Sequence, residues 1–287
     1  MLTEKKQYSF LWEDYELIDA GGGKKLERFG KTILIRPELQ AYFKPVMPLA
    51  KWNEMANWEF VESSKSKGAW KNLQNDENAS RQWDIKFEGL HFNLKLTKYK
   101  HVGLFPEQAS NWRFIKENIN NDHKFLNLFA YTGAASIIAN KQGAEVYHVD
   151  AVQQVITWAK ENMLSSNLSG IKWVLEDALK FAQREVKRAN QYNGIIMDPP
   201  AYGLGAKGEK WILEDKLPKL LEAGSKLLNK SGFLIVNTYS PKLTLKLLER
   251  MALRHFDPLD TTLSELWIKA KTGKALFFGN ILKIRKK

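Results

Sequence analysis

The sequence predicts an α/β fold: a doubly wound, mostly parallel sheet preceded by a small β-rich section. Three observations carry this. From residue 125 onward, short apolar runs alternate with segments of helical spacing, as a parallel sheet with crossover helices requires. The first run (Phe125, Leu126, Leu128, Phe129) enters a turn over 130–133 and then a small-residue helix from about Thr132. Strand, tight glycine turn, helix is how such a sheet opens a nucleotide crevice. The chain closes on two alternating stretches, 263–269 and 276–284, around Thr272-Gly273, which is a hairpin signal.

Taken in order, residues 1–95 read as the small β-rich domain and 96–287 as the larger one, with no Pro/Gly-rich linker between them. Residues 31–36 (KTILIR) form a short strand. Trp52, Met55, Ala56 and Phe60 stand near helical spacing, which predicts a helix over 50–60. SSKSKG (63–68) and NDENAS (75–80) are polar loops. Trp83, Ile85 and Phe87, then Leu90, Phe92, Leu94 and Leu96, alternate with polar residues around Glu88-Gly89, a second hairpin. Trp12, Trp52, Trp58, Trp70 and Trp83 all fall in this section. Aromatics among lysines could stack on unpaired bases, but a small β-rich domain needs bulky core residues, and core is the favoured reading for most of them. KYKHVGLFPEQAS (98–110) leads as a loop into a helix from about Gln108 to Ile119. Further helices are expected over 132–142, 152–165, 178–189, 215–228 and 242–255, with a fifth strand over 233–238.

The turn at 130–133 narrows the choice of nucleotide. A dinucleotide site wants G-x-G-x-x-G, so that backbone can approach a pyrophosphate. Here Gly133 stands alone, beside Tyr131 and Thr132, and no P-loop pattern is present. Such a turn suits an adenosine without phosphates, and S-adenosylmethionine fits. Seventeen residues after Gly133 the second strand ends in Asp150, where a carboxylate can accept from both ribose hydroxyls. The third strand ends in Glu176-Asp177, placed for an adenine amino group, and the fourth in Asp198-Pro199-Pro200-Ala201-Tyr202. The candidate cofactor-binding residues on these strand ends are Asn127, Phe129, Tyr131, Thr132, Gly133, Asp150, Ala151, Glu176, Asp177, Ala178 and Asp198. An acid at one strand end is often only a helix cap; four polar strand ends in order favour the cofactor.

NLFAYTGAAS, HVDAVQQVITWAKEN, LEDALKF and MDPPAY, with LFPEQASNW upstream, resemble the class I S-adenosylmethionine-dependent methyltransferases. The likeness covers roughly 96–287 and is nearest to the bacterial branch containing the large-subunit ribosomal RNA methyltransferases. It implies a Rossmann-like sheet, mostly parallel and ending in an antiparallel hairpin. It also implies that Phe105, Gln108 and Asn111 contact the methionine moiety or the methyl-bearing sulfur; the other reading of 98–110 is a connector packed on the sheet edge. Tyr239 stands where some relatives carry a cysteine.

Methyl transfer from a sulfonium is an in-line displacement, so positioning is most of the task. An exocyclic amine of a base is a poor nucleophile because its lone pair is delocalised, and acceptors on its hydrogens improve it. Asp198 offers a carboxylate and Pro199 a carbonyl, on a turn that Pro199 and Pro200 stiffen. Tyr202 could stack on an extruded base, although Ala201 separates it from the prolines. The bland alternative is that Asp-Pro-Pro ends a strand and starts a loop. GLGAKGEKW (203–211) reads as a mobile loop over the acceptor or an ordinary surface loop.

Net charge is +12, and hydrophobic residues make up 44% of the 287, enough for a core and basic enough to favour a nucleic-acid partner. The tail KIRKK could touch RNA, though a solvated end is the simpler reading. Cysteine is absent, which excludes disulfides, thiolate zinc and iron–sulfur clusters, and the five histidines lack metal-ligand spacing. No stretch approaches the about 20 apolar residues of a membrane span, and the first residues lack the apolar run of a signal peptide. The expectation is a cytoplasmic enzyme, without metal or membrane, that methylates a nitrogen of an RNA base, ribosomal RNA first. A protein, DNA or small-molecule nitrogen and an inactive S-adenosylmethionine-binding RNA scaffold are the alternatives.

Overall fold

The computed structural model describes residues 5–63, 67–204 and 210–286. Parts of the start, of the 63–68 and 203–211 loops and of the basic tail fall outside these residues. The chain folds into two compact units. Met1–Gln7, Ser110–Leu266 and Gly279–Lys287 form one; Tyr8–Ala109 and Trp267–Phe278 form the other.

The chain opens with β1 (Lys5–Ser9), an edge strand of the larger sheet. In the β-rich unit, β2 (Tyr15–Gly21), β3 (Lys24–Phe29), β4 (Thr32–Pro37), α1 (Leu49–Met55), β5 (Trp58–Glu62) and β6 (Gly68–Asn72) give a five-stranded sheet in the order β2-β3-β4-β5-β6. Only β4 and β5 pair in parallel, with Leu34 opposite Trp58 and Ile35 opposite Glu59. A parallel pair needs a crossover, and α1 lies in it. Trp52, the buried face of α1, packs with Ala56 on Ile18, Leu26 and Ile35. Truncating it to alanine is worth about 3–5 kcal/mol. Trp52 Nε1 also donates to the buried Asp19 carboxylate at 3.2 Å. β7 (Gln82–Phe87) and β8 (Leu90–Lys95) form the expected hairpin, with Glu88 and Gly89 at φ 47° and 79°, the left-handed pair that a two-residue I′ turn demands.

The helix expected over 50–60 is corrected: it stops at Met55. Ala56 is extended, and Asn57 is tied to β4 by its backbone N–H to Ile33 O and by Ile33 N to its side chain, at 2.8 and 2.7 Å. Trp58 and Phe60 are then buried by strand alternation, which over so short a span mimics helical spacing. Trp52, Trp58 and Trp70 are core residues; Trp12 and Trp83 are half-buried.

The second unit runs through α2 (Ala109–Asn118), β9 (Lys124–Leu128), α3 (Ala134–Lys141), β10 (Glu145–Asp150), α4 (Gln153–Ser165), β11 (Lys172–Leu175), α5 (Ala178–Lys187) and β12 (Tyr192–Met197). It continues with β13 (Tyr202–Leu204), β14 (Lys210–Ile212), α6 (Leu213–Leu227), β15 (Leu228–Thr238), α7 (Leu245–Ala252), β16 (Thr261–Lys269) and β17 (Ala275–Arg285), of which residues 267–269 and 275–278 count with the β-rich unit. The sheet order is β1-β16-β17-β15-β12-β9-β10-β11. β12, β9, β10, β11 and β15 pair in parallel, whereas β17 runs antiparallel to β15 from Phe233–Arg285 to Thr238–Asn280. This is the predicted mixed sheet. From β9 the chain steps outward through β10 and β11, then returns to β12 on the other side. The strand order therefore reverses between β9 and β12, which is where such sheets open a crevice. Leu126, Leu128, Val149, Ile195, Met197 and Leu234 form the core beneath it.

Candidate functional site

The turn after β9 is held in an uncommon conformation. Phe129, Tyr131 and Gly133 have φ of 58°, 50° and 87°. Left-handed backbone costs a bulky residue on the order of 1–3 kcal/mol and persists only where neighbours over-determine it. Here Ala130 N donates to Val149 O at 3.1 Å, Gly133 N to Ala130 O at 3.0 Å, and Tyr131 N to Asp150 Oδ2 at 2.9 Å. Gly133 is required twice over. Besides its φ, a Cβ there would sit 3.0 Å from that of Ala159 and 3.4 Å from His148 Cε1.

Beneath the turn lies a buried polar chain. Asn127 Nδ2 donates to Ser136 Oγ at 2.9 Å, and Ser136 Oγ meets His148 Nδ1 at 3.1 Å. Burial pushes His148 down to about 3, so the ring is neutral. Asn162 Nδ2 donates to Thr132 O at 3.0 Å, and Thr132 is itself buried. Asn127 thus acts under the turn, fixing the start of α3.

Asp150 holds both flanks of its own strand end. Oδ2 takes Tyr131 N and Oδ1 takes Val152 N, each at 2.9 Å. Burial raises its carboxyl above the usual range, against the pull of these N–H donors. Each carboxylate oxygen has a second acceptor site, so the group can still take ribose hydroxyls. Ala151 beside it is exposed. At the end of β11, Glu176 pairs with Arg184 Nη1 at 2.6 Å, and its N–H reaches Asp150 O at 3.1 Å. Asp177 caps α5, its Oδ1 accepting from Lys180 N at 2.9 Å, and the buried Ala178 opens that helix. The cap that the sequence allowed is real, and it leaves the second oxygen of Asp177 outside the cap bond.

At the end of β12, Asp198 is half-buried, Pro199 buried and Pro200 exposed, with Asp198 N directed at Leu128 O at 3.4 Å. The described ends of the following stretch are strands. β13 and β14 pair, with Tyr202 opposite Ile212, and Leu213 N closes the base on Ala201 O at 3.1 Å; residues 205–209 lie outside the described ones. Tyr202 is 60% exposed. Trp211, which sequence reasoning passed over, is buried: its Nε1 donates to Pro200 O at 2.7 Å and its ring packs on Phe129 at 4.9 Å. A lone tryptophan ending a Gly/Lys-rich stretch was the available signal.

Asn111 Nδ2 donates to the buried Asn237 Oδ1 at 3.1 Å, which ties α2 to the end of β15. Tyr239 follows two residues on, half-buried. Phe105 and Gln108 belong to the β-rich unit, in a 3-10 turn where Gln108 N donates to Phe105 O at 3.0 Å. Glu107 between them is buried, which pushes its carboxyl up to about 7. One unit therefore collects Asn111, Asn127, Phe129, Tyr131, Thr132, Gly133, Asp150, Ala151, Glu176, Asp177, Ala178, Asp198, Pro199, Pro200 and Tyr202, most of them on the carboxyl ends of four adjacent strands. Among the described residues no group of three His, Cys, Asp or Glu could hold a metal, and no helix is long and apolar enough to cross a membrane.

A family model described as S-adenosylmethionine-dependent methyltransferase matches residues 64–259. The SAM-dependent methyltransferase from Agrobacterium tumefaciens is similar over 100% of this chain and 97% of its own, at 33% identity and a TM-score of 0.88. A methyltransferase solved in complex with SAH is similar in fold, with 18% identity, a TM-score of 0.74 and coverage of 92% and 72%. Ribosomal RNA large subunit methyltransferase K/L of Pseudoalteromonas translucida is 34% identical over 151 residues, 51% of this chain and 21% of that protein. Its counterpart in Shewanella amazonensis is 33% identical over 158 residues, 54% and 22% of the two. The chain spans about a fifth of the length of these curated relatives.

Proposed function

The chain belongs to the S-adenosylmethionine-dependent methyltransferase family, and from that premise we propose that it methylates a nitrogen of an RNA base, with ribosomal RNA as the substrate. Bound S-adenosylmethionine supplies an electrophilic methyl on a sulfonium. The turn over 129–133 and Asp150 receive the adenosine, and the start of α5 receives the adenine edge. Asn111 is assigned to the methionine end. Asp198 and the Pro199 carbonyl accept the hydrogens of the acceptor amine, which localises its lone pair toward the methyl carbon. Tyr202, exposed on β13, is available to stack on the base.

The observation that carries this reading is the ordered Asp198-Pro199-Pro200 turn, held through Trp211 against the turn over 129–133. RNA is favoured by the +12 charge and by the relatives named as ribosomal RNA methyltransferases. A nitrogen is favoured over pyrimidine C5 because that route needs a thiolate to add at C6, and the chain has no cysteine. The β-rich unit, Tyr8–Ala109 with Trp267–Phe278, acts as an accessory domain, and the cytoplasm is the site of action. Mass spectrometry of nucleosides in RNA from cells with and without the gene tests it. Loss of one N-methylated nucleoside is the expected result; an unchanged nucleoside profile in ribosomal RNA refutes the substrate.

A further inference from the structure

Trp211 joins two turns that the proposed function assigns to different substrates, and the role inferred for it rests on that assignment. On one side its ring lies 4.9 Å from that of Phe129, at 60°. Phe129 is left-handed, a conformation that a bulky residue keeps only when its neighbours hold it. On the other side Trp211 Nε1 donates to Pro200 O at 2.7 Å. Pro199 and Pro200 have fixed φ, so pinning this carbonyl also restrains Asp198 and Pro199 before it. Trp211 is itself fixed: it is 8% exposed, opposite Gly203 in the β13–β14 pair, and Leu213 N closes the base of that pair on Ala201 O.

We propose that Trp211 is a positioning residue that carries the ordering of the 129–133 turn, when cofactor binds, to the turn that presents Asp198. A tryptophan that merely filled the core would stabilise both turns without linking them. A link makes the two binding events depend on each other, and equilibrium coupling is reciprocal.

Amide hydrogen exchange on the full chain, with and without S-adenosylhomocysteine, tests this without any knowledge of the acceptor. In the wild type, S-adenosylhomocysteine should slow exchange at least about fivefold in both 128–135 and 201–204. Trp211→Phe keeps a ring on Phe129 and loses the N–H. It should retain the slowing at 128–135, reduce that at 201–204 to below about twofold, and bind S-adenosylhomocysteine within about threefold of wild type. Phe129→Leu cuts the other side of the link and, at S-adenosylhomocysteine concentrations that still saturate the slowing at 128–135, should give the same loss at 201–204, so the test survives if one variant fails to fold. Slowing at 201–204 that persists in both variants overturns the proposal, as does wild-type slowing confined to 128–135. No slowing at 128–135 in the wild type overturns the cofactor assignment and the proposal with it.

Discussion

Asp150→Asn removes a charge and one acceptor from a group that holds its own neighbours. In the wild type, Tyr131 N and Val152 N each donate to a separate carboxylate oxygen at 2.9 Å. Asparagine leaves one of these donors facing an NH2. A hydrogen bond to a charged group is worth about 1.5–3 kcal/mol, and a buried donor left without an acceptor costs about 1–3 kcal/mol. Part of this is recovered, because burial already works against the ionised carboxylate. The remainder is about 2–3 kcal/mol, and it falls on Tyr131, whose left-handed φ of 50° depends on that bond. At 1.4 kcal/mol per decade, cofactor affinity should fall by about 30- to 150-fold. Tm should fall by about 3–4 °C if 2 kcal/mol is also lost from the folded state. Calorimetric titration with S-adenosylhomocysteine reads the first effect and a thermal melt the second. Affinity within about threefold of wild type would refute the reasoning, since neither the turn nor a ribose diol could then depend on the carboxylate.

Asp198→Ala should keep S-adenosylhomocysteine affinity within about threefold while kcat falls at least about a hundredfold, since an interaction made with the acceptor acts in the transition state; equal loss of both makes it a cofactor or folding residue. Gly133→Ala should cost about 1–2 kcal/mol for its left-handed φ of 87° alone. Ala159→Gly, which removes the 3.0 Å contact, should restore only part of that in a urea melt, and full restoration would refute the conformational share. Glu107 gives a pH dependence whose sign is fixed by its carboxyl being raised to about 7 in the folded protein from a usual 4.5. Its contribution is fully present below the unfolded value and is lost as pH rises through about 7. Each tenfold difference in proton affinity between the two states is worth about 1.4 kcal/mol, or about 3 kcal/mol in all. The stability of Glu107→Gln relative to wild type should therefore rise between pH 5 and pH 8.5, and a flat or falling difference would refute the buried-acid account.

The parallel half was readable because its strands are buried on both faces. Ile195–Met197 and Phe233–Val236 are apolar runs that stop at a polar residue, and Phe125–Leu128, apolar but for Asn127, runs into the turn over 130–133, so both strands and crevice-lining ends could be placed. The helix boundaries moved by a few residues where caps intervene, as where Thr244 Oγ1 takes Leu247 N at 3.3 Å and starts α7 later than expected. The β-rich unit was poorly readable because its strands bury charge. β2 and β3 hide Asp19, Lys25 and Glu27, and β4 hides Arg36, whose Nη2 meets Glu27 Oε2 at 2.6 Å. Such buried charges break the alternation that marks a strand, and partners such as Arg36 for Glu27 or Trp52 for Asp19 lie on other elements, out of reach of local pattern. The strand end at Asp150 and the left-handed turn at Gly133 were legible from position alone. The double duty of Asp150, the cap on Asp177 and the bridge through Trp211 depend on contacts between segments distant in sequence, which one-dimensional spacing does not encode.

The central claim is tested most directly by incubating the enzyme with methyl-labelled S-adenosylmethionine and unmodified large-subunit ribosomal RNA, then digesting to nucleosides and locating the label. Label in an N-methylated guanosine or adenosine is the result expected from an Asp198-Pro199 acceptor turn in a chain without cysteine. Label in 5-methylcytidine or 5-methyluridine, or on a ribose oxygen, would contradict it.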